Sequence, residues 1–419
     1  MKSSKGVLRG ATVFLLTLVA AWVFEVPASA AGAPVPLLAT DKPVTWWTVF
    51  KFNAAAFPGC GAQATPICTF GGTVQPYPKF GEQFAVASDQ DATLKKGTGC
   101  NGETLSDPVG ATFDEIYNGD FHYVVWNDQF YDDPAIAGCT KACMSPWGHS
   151  KGLVAWDDAG EGLVLQVSTP SWPGSGSHNN PRQSDGNTLG CVKDNDVLVS
   201  QHFFALKLSK SDVVAVLQAL KNSSVVTDPS DAQIVSSGGP ADIQQLVATL
   251  GKKSMSKKVT MVTLSSGVRL ISKPSKVHVP PWQLVSAELG GLPLRTATWW
   301  ASPKIPTTTA ETNIGCWNDQ LGTPGAVEIA TTGSWQGTAL GLQGTASASG
   351  NHAKIGVTTD GTSDLTIFGD LNQQGVLSGA AADCTRSQNG RGGLFYVVKD
   401  HALAASVGAL IAGDTAPTE

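Results

Sequence analysis

The chain has 419 residues, 42% hydrophobic and 15% charged, which excludes a disordered or fibrous protein and supplies apolar mass for one large core or two ordinary ones. Its formal net charge of −6 excludes loose, charge-driven binding to a polyanion at neutral pH. Its seven histidines change that balance in acid, because protonation below their ordinary pKa of about 6.5 brings the sum close to neutral.

Residues 1–30 place Lys2, Lys5 and Arg9 before an apolar stretch from Ala11 to Phe24 and end in Ala28-Ser29-Ala30. That order is the pattern of a cleavable secretory signal, cut after Ala30. Its loss takes the 28 bases and 34 acids to 25 and 33, a net charge of −8. No later stretch approaches the roughly 18 consecutive apolar residues of a membrane span. The expectation is a protein acting outside the cytoplasm, secreted or periplasmic, with no membrane partner.

All eight cysteines follow the signal, and an even count in a secreted chain reads as disulfides. Eight cysteines allow about 105 pairings, so spacing leaves the connectivity open, although Cys139 and Cys143 are close enough in sequence to close a small loop. Zinc is disfavoured, since there is no C-x-x-C pair and the histidines are scattered singly.

In the mature chain, "PVTWWTVFKFN" (43–53) is β-branched and aromatic and predicts a strand. A Gly/Cys/Pro-rich loop region is expected from there to about residue 110. "FHYVVWNDQ" (121–129) predicts another strand, and "KGLVAWDD" with "GLVLQVSTP" predicts a hairpin around Asp158-Ala159-Gly160. A polar loop carrying His178 covers 173–188. Helices are expected at 211–222, which opens on capping residues, and at 240–253, with Pro at its start and Gly251 at its end. Strands resume in "KKVTMVTLSSGVRLIS" (257–272) and "LPLRTATWW" (292–300). The mixture predicts a mixed α/β (α+β) fold, not an all-β module.

The second half echoes the first. "GHSKGLVAWDD" (148–158) and "NHAKIGVTTDG" (351–361) each place His and Lys two apart before an apolar run, with an aspartate six residues after the lysine. "WNDQ" occurs at 126–129 and 317–320, and "TWW" followed by Lys at 45–51 and 298–304. These echoes predict an internal duplication with a seam near 253–258, hence an N-terminal half of 31–255 and a C-terminal half of 256–419.

Residues two apart on an extended strand share a face, so His149 projects with Lys151 and His352 with Lys354. Two such half-sites meeting across a pseudo-twofold axis gather two imidazoles and two ammonium groups around one point, a pocket for a phosphate. One histidine, neutral, attacks phosphorus, and the other, protonated, donates to the leaving oxygen. The lysines offset the charge of the non-bridging oxygens, so this chemistry requires no metal or cofactor. Asp157 and Asp360 read as turn residues. "LTIFGDLNQQG" (365–375) puts Asp370 and Asn372 beside the same centre, Asp370 to orient a histidine ring and Asn372 to bind a phosphate oxygen. "SQNGRGGLFYVV" (387–398) sets Arg391 where it can fork onto a phosphate. Neither a P-loop nor a dinucleotide fingerprint is present.

At these residues the chain resembles the deoxyribonuclease II family, which has the double His-Lys architecture of the phospholipase D superfamily. The resemblance runs through "PVTWWTVFKFN", "NDQ" (127–129), "GHSKG", "NTLGCV" (187–192), "NHAK", "GDLNQ" and "GRGG" (390–393). It implies two phospholipase D-like halves, each a β-sheet flanked by helices. It also implies a metal-independent acid endonuclease that leaves 3′-phosphate and 5′-hydroxyl ends through a phosphohistidine. His149, Lys151, His352 and Lys354 then form one active site, supported by Asp370 and Asn372. The spacing from Lys to Asp is one residue longer than in the broader superfamily, and the first half has Ser171 near where the second has Asn372, so neither aspartate role nor support symmetry transfers directly. The family is described as a clamp for duplex DNA, in some cases completed by a homodimer. Lys273, Lys276, Arg386 and Arg391 are the candidates for flanking, sequence-independent phosphate contacts. Two alternatives remain at this level. A phospholipase D-like phosphodiesterase for lipid headgroups calls for an exposed apolar rim. A secreted carbohydrate-binding module would use the tryptophans and no histidine.

Overall fold

The computed structural model describes residues 1, 32–60, 81–130, 134–139, 142–170 and 197–419. Residues 2–30 of the signal expected at 1–30, Cys68, Ser171, the 173–188 loop expected to carry His178, and "NTLGCV" with Cys191 lie outside the described residues. The first half of the chain forms β1 (Trp46–Lys51), β2 (Phe84–Ser88), β3 (Asp91–Lys96), α1 (Pro108–Asn118), β4 (His122–Asn127), β5 (Lys151–Trp156), β6 (Gly162–Val167), β7 (Gln201–Leu208), α2 (Lys210–Asn222), β8 (Val235–Ser236) and α3 (Ala241–Val247). Its eight strands make one sheet in the order β3-β2-β1-β7-β6-β5-β4-β8. β1, β5 and β6 are buried at every residue, as continuous apolar runs must be when both faces of an interior strand are covered.

The remainder forms β9 (Thr260–Thr263), β10 (Arg269–Lys273), α4 (Pro281–Glu288), β11 (Leu294–Ala297), β12 (Val327–Ile329), β13 (Thr332–Trp335), β14 (Thr338–Gly341), β15 (Ile355–Thr358), β16 (Leu365–Gly369), α5 (Ala381–Cys384), β17 (Gly393–Lys399) and α6 (His401–Leu410). Seven of these strands build the second sheet, β12-β11-β15-β16-β17-β10-β9, and β13 with β14 is a separate hairpin. With six α-helices among the described residues, the fold is mixed α/β, as the sequence predicts. No helix of the described residues is long and apolar enough to cross a membrane.

Aromatic packing joins the sheets. Phe204 of β7 stacks on Phe368 of β16 with ring centroids 4.6 Å apart, and lies 5.6 Å from Tyr396 of β17. Helix α2 packs on β5, β6 and β7 and reaches β10 and β17, while α6 packs on β15 and β16 and reaches β3. Ser209 and Asp212 form a capping box at the start of α2, which satisfies backbone donors that the first turn cannot.

Three expectations need correction. The supposed loop region up to residue 110 contains β2, β3 and the start of α1. β3 is an edge strand with only Leu94 buried, so its polar sequence, "DATLKK", carries no alternation to read. The helix expected at 240–253 stops at Val247. Third, the short echoes are not equivalent in space, because the first "WNDQ" closes β4 while the second lies in irregular chain before β12. Likewise Trp46 and Trp47 belong to β1, whereas Trp299 and Trp300 follow β11. Disulfides join Cys60 to Cys100, Cys139 to Cys143 and Cys316 to Cys384.

Candidate active site

The apolar run of β5 requires that its first residue enter the core, and Lys151 does so with 2% exposure. A buried ammonium needs a counter-charge, and Asp128, just past β4, supplies one at 2.5 Å from Lys151 Nζ. The other carboxylate oxygen accepts from Arg391 at 2.8 Å. Burial alone would raise the proton affinity of Asp128, but Lys151 and Arg391 hold its carboxyl below the usual carboxylate range. Arg391 also donates to the carbonyls of Trp147 at 3.1 Å and Gly148 at 2.7 Å. It therefore ties the segment before β17 to the one that carries His149. Gly148 and Gly392 both approach the Ser223 carbonyl, where an added Cβ would sit at 2.6 Å and 2.0 Å. No other residue fits either place without moving backbone.

His149 precedes β5, and its backbone N–H donates to Gly392 O at 2.8 Å. His352 precedes β15, and its N–H donates to Ser200 O at 2.7 Å. Each histidine is thus anchored to chain that leads into the other sheet. Both line one cavity of about 410 Å³ together with Asp128, Trp299, Asn372 and Arg391. Lys151 and Lys354 stand behind that lining, 2% and 1% exposed. Burial, with the neighbouring ammonium groups, pushes both imidazoles well below the ordinary histidine range: Lys151 acts foremost on His149 and Lys354 on His352.

Hydrogen bonds distinguish the two rings. His149 Nδ1 lies 2.7 Å from the backbone oxygen of Asp370. A carbonyl only accepts, so Nδ1 carries the proton and Nε2 the lone pair. Near His352 the arrangement is reversed. Gln201 accepts the Ser168 hydroxyl on its Oε1 and turns its amide nitrogen toward His352 Nδ1 at 3.4 Å. The Trp299 ring packs against His352 with centroids 4.6 Å apart. A third buried histidine, His202, accepts from the backbone N–H of Lys354 at 3.1 Å.

The Asp370 side chain does not touch the His149 ring. Its oxygens accept from Gln166 at 2.9 Å and Leu394 N at 2.8 Å, so it supports the ring through its backbone carbonyl. Burial raises its carboxyl to about 7 against the hydrogen bonds that favour the anion. Asn372 lines the cavity, donates to Gln374 at 2.8 Å and leaves its Oδ1 without a partner. Lys273 has no exposed surface, and its Nζ donates to Asn389 O and Arg391 O at 2.8 Å and 2.7 Å. Burial prevents it from reaching a substrate, and it positions Arg391 instead. Arg386 is exposed beside Asp383 at 3.5 Å. Asp157 and Asp360 accept hydrogen bonds within their own turns. Among the described residues, the only cluster of three metal-ligand side chains is Cys60, Glu82 and Cys100, whose cysteines are joined by a disulfide.

The raised Asp370 carboxyl makes a stability prediction. Between the unfolded value of 3.8 and the folded value of about 7 the native state alone keeps the proton. Its contribution is present below the first value and is lost as pH rises through the second. Asp370→Asn cannot ionise, so its stability relative to the parent should improve by roughly 4 kcal/mol between about pH 4 and pH 8. Urea midpoints across that range measure the gap, and a gap independent of pH would remove Asp370 from the titration.

A family model described as deoxyribonuclease II matches residues 37–412. No curated protein matches the chain.

Proposed function

This chain belongs to the deoxyribonuclease II family and is a deoxyribonuclease II-like phosphodiesterase; we propose that it is a metal-independent acid endonuclease of DNA, acting through a phosphohistidine. The observation that carries this reading is that His149 and His352 line one cavity, each with a buried lysine behind it. Two similar halves supply the site. Supporting this, the strand orders β4-β5-β6-β7-β1 and β11-β15-β16-β17-β10 correspond, and every neighbouring pair in both is antiparallel. Lys51 ends β1 and binds Val199 O at 2.8 Å, just as Lys273 ends β10 and binds Arg391 O. These correspondences support taking the halves as 31–255 and 256–419.

His149 Nε2, which holds the lone pair, attacks phosphorus. The P–O5′ bond breaks with its electrons on O5′, and protonated His352 gives that oxygen its proton. A water, deprotonated by His352, then attacks phosphorus. The P–N bond breaks, its electrons return to His149, and a 3′-phosphate is released. Lys151 and Lys354 place positive charge behind the phosphoryl group in both steps, in a buried site where such charge acts more strongly than in bulk water. Asn372 meets a phosphate oxygen at the cavity wall with its second Nδ2 hydrogen, while Arg391, held by Asp128 and the Trp147 and Gly148 carbonyls, fixes that wall. Duplex DNA is held by its backbone, without regard to sequence.

The pH dependence follows from the depressed imidazoles. Catalysis requires one proton on the pair, and burial beside two ammonium groups allows that proton only in acid. Activity should therefore rise as pH falls. Supercoiled plasmid incubated with the protein in EDTA should be nicked at about pH 5 and at least roughly tenfold more slowly at about pH 8, values that bracket the ordinary histidine pKa. No nicking at either pH, or nicking lost to EDTA, would overturn the mechanism.

A further inference from the structure

A second cavity, of about 550 Å³, lies outside the histidine site and is lined by Lys257, Lys276, His278, Trp317, Asn318 and the Cys316–Cys384 disulfide. Its volume is in the range of small-ligand sites. In a chain of net charge −6, no carboxylate stands among the described residues that line it. The ammonium groups of Lys273, Lys276 and Lys257 all act on His278, which burial already disfavours as a cation, so the three charges converge on one wall. Lys273 is buried behind that wall and bonded to carbonyls, leaving Lys257 and Lys276 as the ammonium groups of the lining.

The cavity has fixed walls. Val277 and Val279 are core residues at 2% and 1% exposure, and Trp317 packs against the same core. Cys316 and Cys384 are buried and joined across 68 residues. Beyond Cys384 the chain runs directly to Gln388 and Arg391, which line the histidine cavity. The two cavities are therefore built on one continuous segment, 379–391. Ammonium groups beside a half-buried indole are the combination that holds a phosphate and stacks the adjoining base.

We infer that this cavity is a second contact for the DNA strand, in which Lys257 and Lys276 hold a phosphate and Trp317 stacks a base while the scissile phosphate lies at His149 and His352. This rests on the nuclease reading above. Lys257→Ala/Lys276→Ala in the full chain should raise KM for a 40-base-pair duplex about tenfold. It should also reduce the slope of log K against log[salt] by about 1 to 2. Turnover of thymidine 3′-(p-nitrophenyl phosphate), whose single phosphate is the one cleaved, should stay at the parent's rate. Trp317→Phe should keep the parental KM and Trp317→Ala should raise it severalfold.

Duplex KM and salt slope within about twofold of the parent, with normal turnover of the small diester, would overturn the inference. So would a double variant that loses competition by inorganic phosphate while keeping its duplex KM, because the cavity would then be a free-anion site. If the parent cleaves neither substrate, the nuclease reading is what fails. Anisotropy of a labelled duplex with parent and double variant still decides whether the cavity touches DNA.

Discussion

His149→Ala is expected to abolish turnover of both DNA and a p-nitrophenyl diester, whereas His352→Ala should lose DNA cleavage by about 10²- to 10⁴-fold and retain attack on the nitrophenyl substrate. The difference comes from the leaving group. Nitrophenolate departs without a proton, so the acid is dispensable for that bond, while a 5′-alkoxide needs one. The nucleophile is needed in both cases. The assignment rests on the hydrogen bond from His149 Nδ1 to Asp370 O at 2.7 Å, which exposes Nε2 as the base. With His352 absent, the phosphohistidine should also build up, because no base remains to activate water, and rapid-quench kinetics should show a burst of nitrophenolate. Equal losses for both variants on both substrates would reverse or erase the assignment.

The histidines were legible in the sequence because two copies of one local pattern, His-x-Lys before an apolar run, are a signal that composition cannot mimic. Strands β1, β4, β5 and β6 were legible as short, mostly apolar runs buried almost throughout, and helix α2 by its capping residues and an apolar face that matches its burial. What could not be read was what each histidine is held by. Gln201, Ser168 and Gln166 sit on β6, β7 or their ends and carry no motif, yet they orient His352 and Asp370. The Asp370 side chain was expected to orient a histidine ring, whereas it is the Asp370 backbone carbonyl that meets His149 Nδ1. A backbone contact leaves no trace in residue type. Lys273 and Arg391 show the same limit: sequence alone cannot tell a solvent-facing base from one whose head is held by buried carbonyls or a carboxylate.

Asp128 is the residue whose loss should cost the fold most. It lies in "WNDQ", where the repeat drew attention, but the second copy of that tetrapeptide is half-exposed or exposed and plays no matching part. Asp128 itself is 1% exposed and bonded to both Lys151 and Arg391. Asp128→Ala leaves two buried cations facing each other, a change that costs about 3–5 kcal/mol, and it frees the Arg391 link to the Trp147 and Gly148 carbonyls that sets the His149 loop. Thermal or urea denaturation should register that loss directly. Adding Lys151→Met removes one of the stranded charges, so Asp128→Ala/Lys151→Met should recover a large part of the stability while DNA cleavage stays abolished, since the ammonium behind His149 is then gone. If Asp128→Ala unfolds within about 1 kcal/mol of the parent, the cost of an exposed pair, the carboxylate does not hold the network together. Recovery of stability without recovery of activity would separate the burial of Lys151, which Asp128 neutralises, from the charge that the proposed mechanism places behind the phosphate.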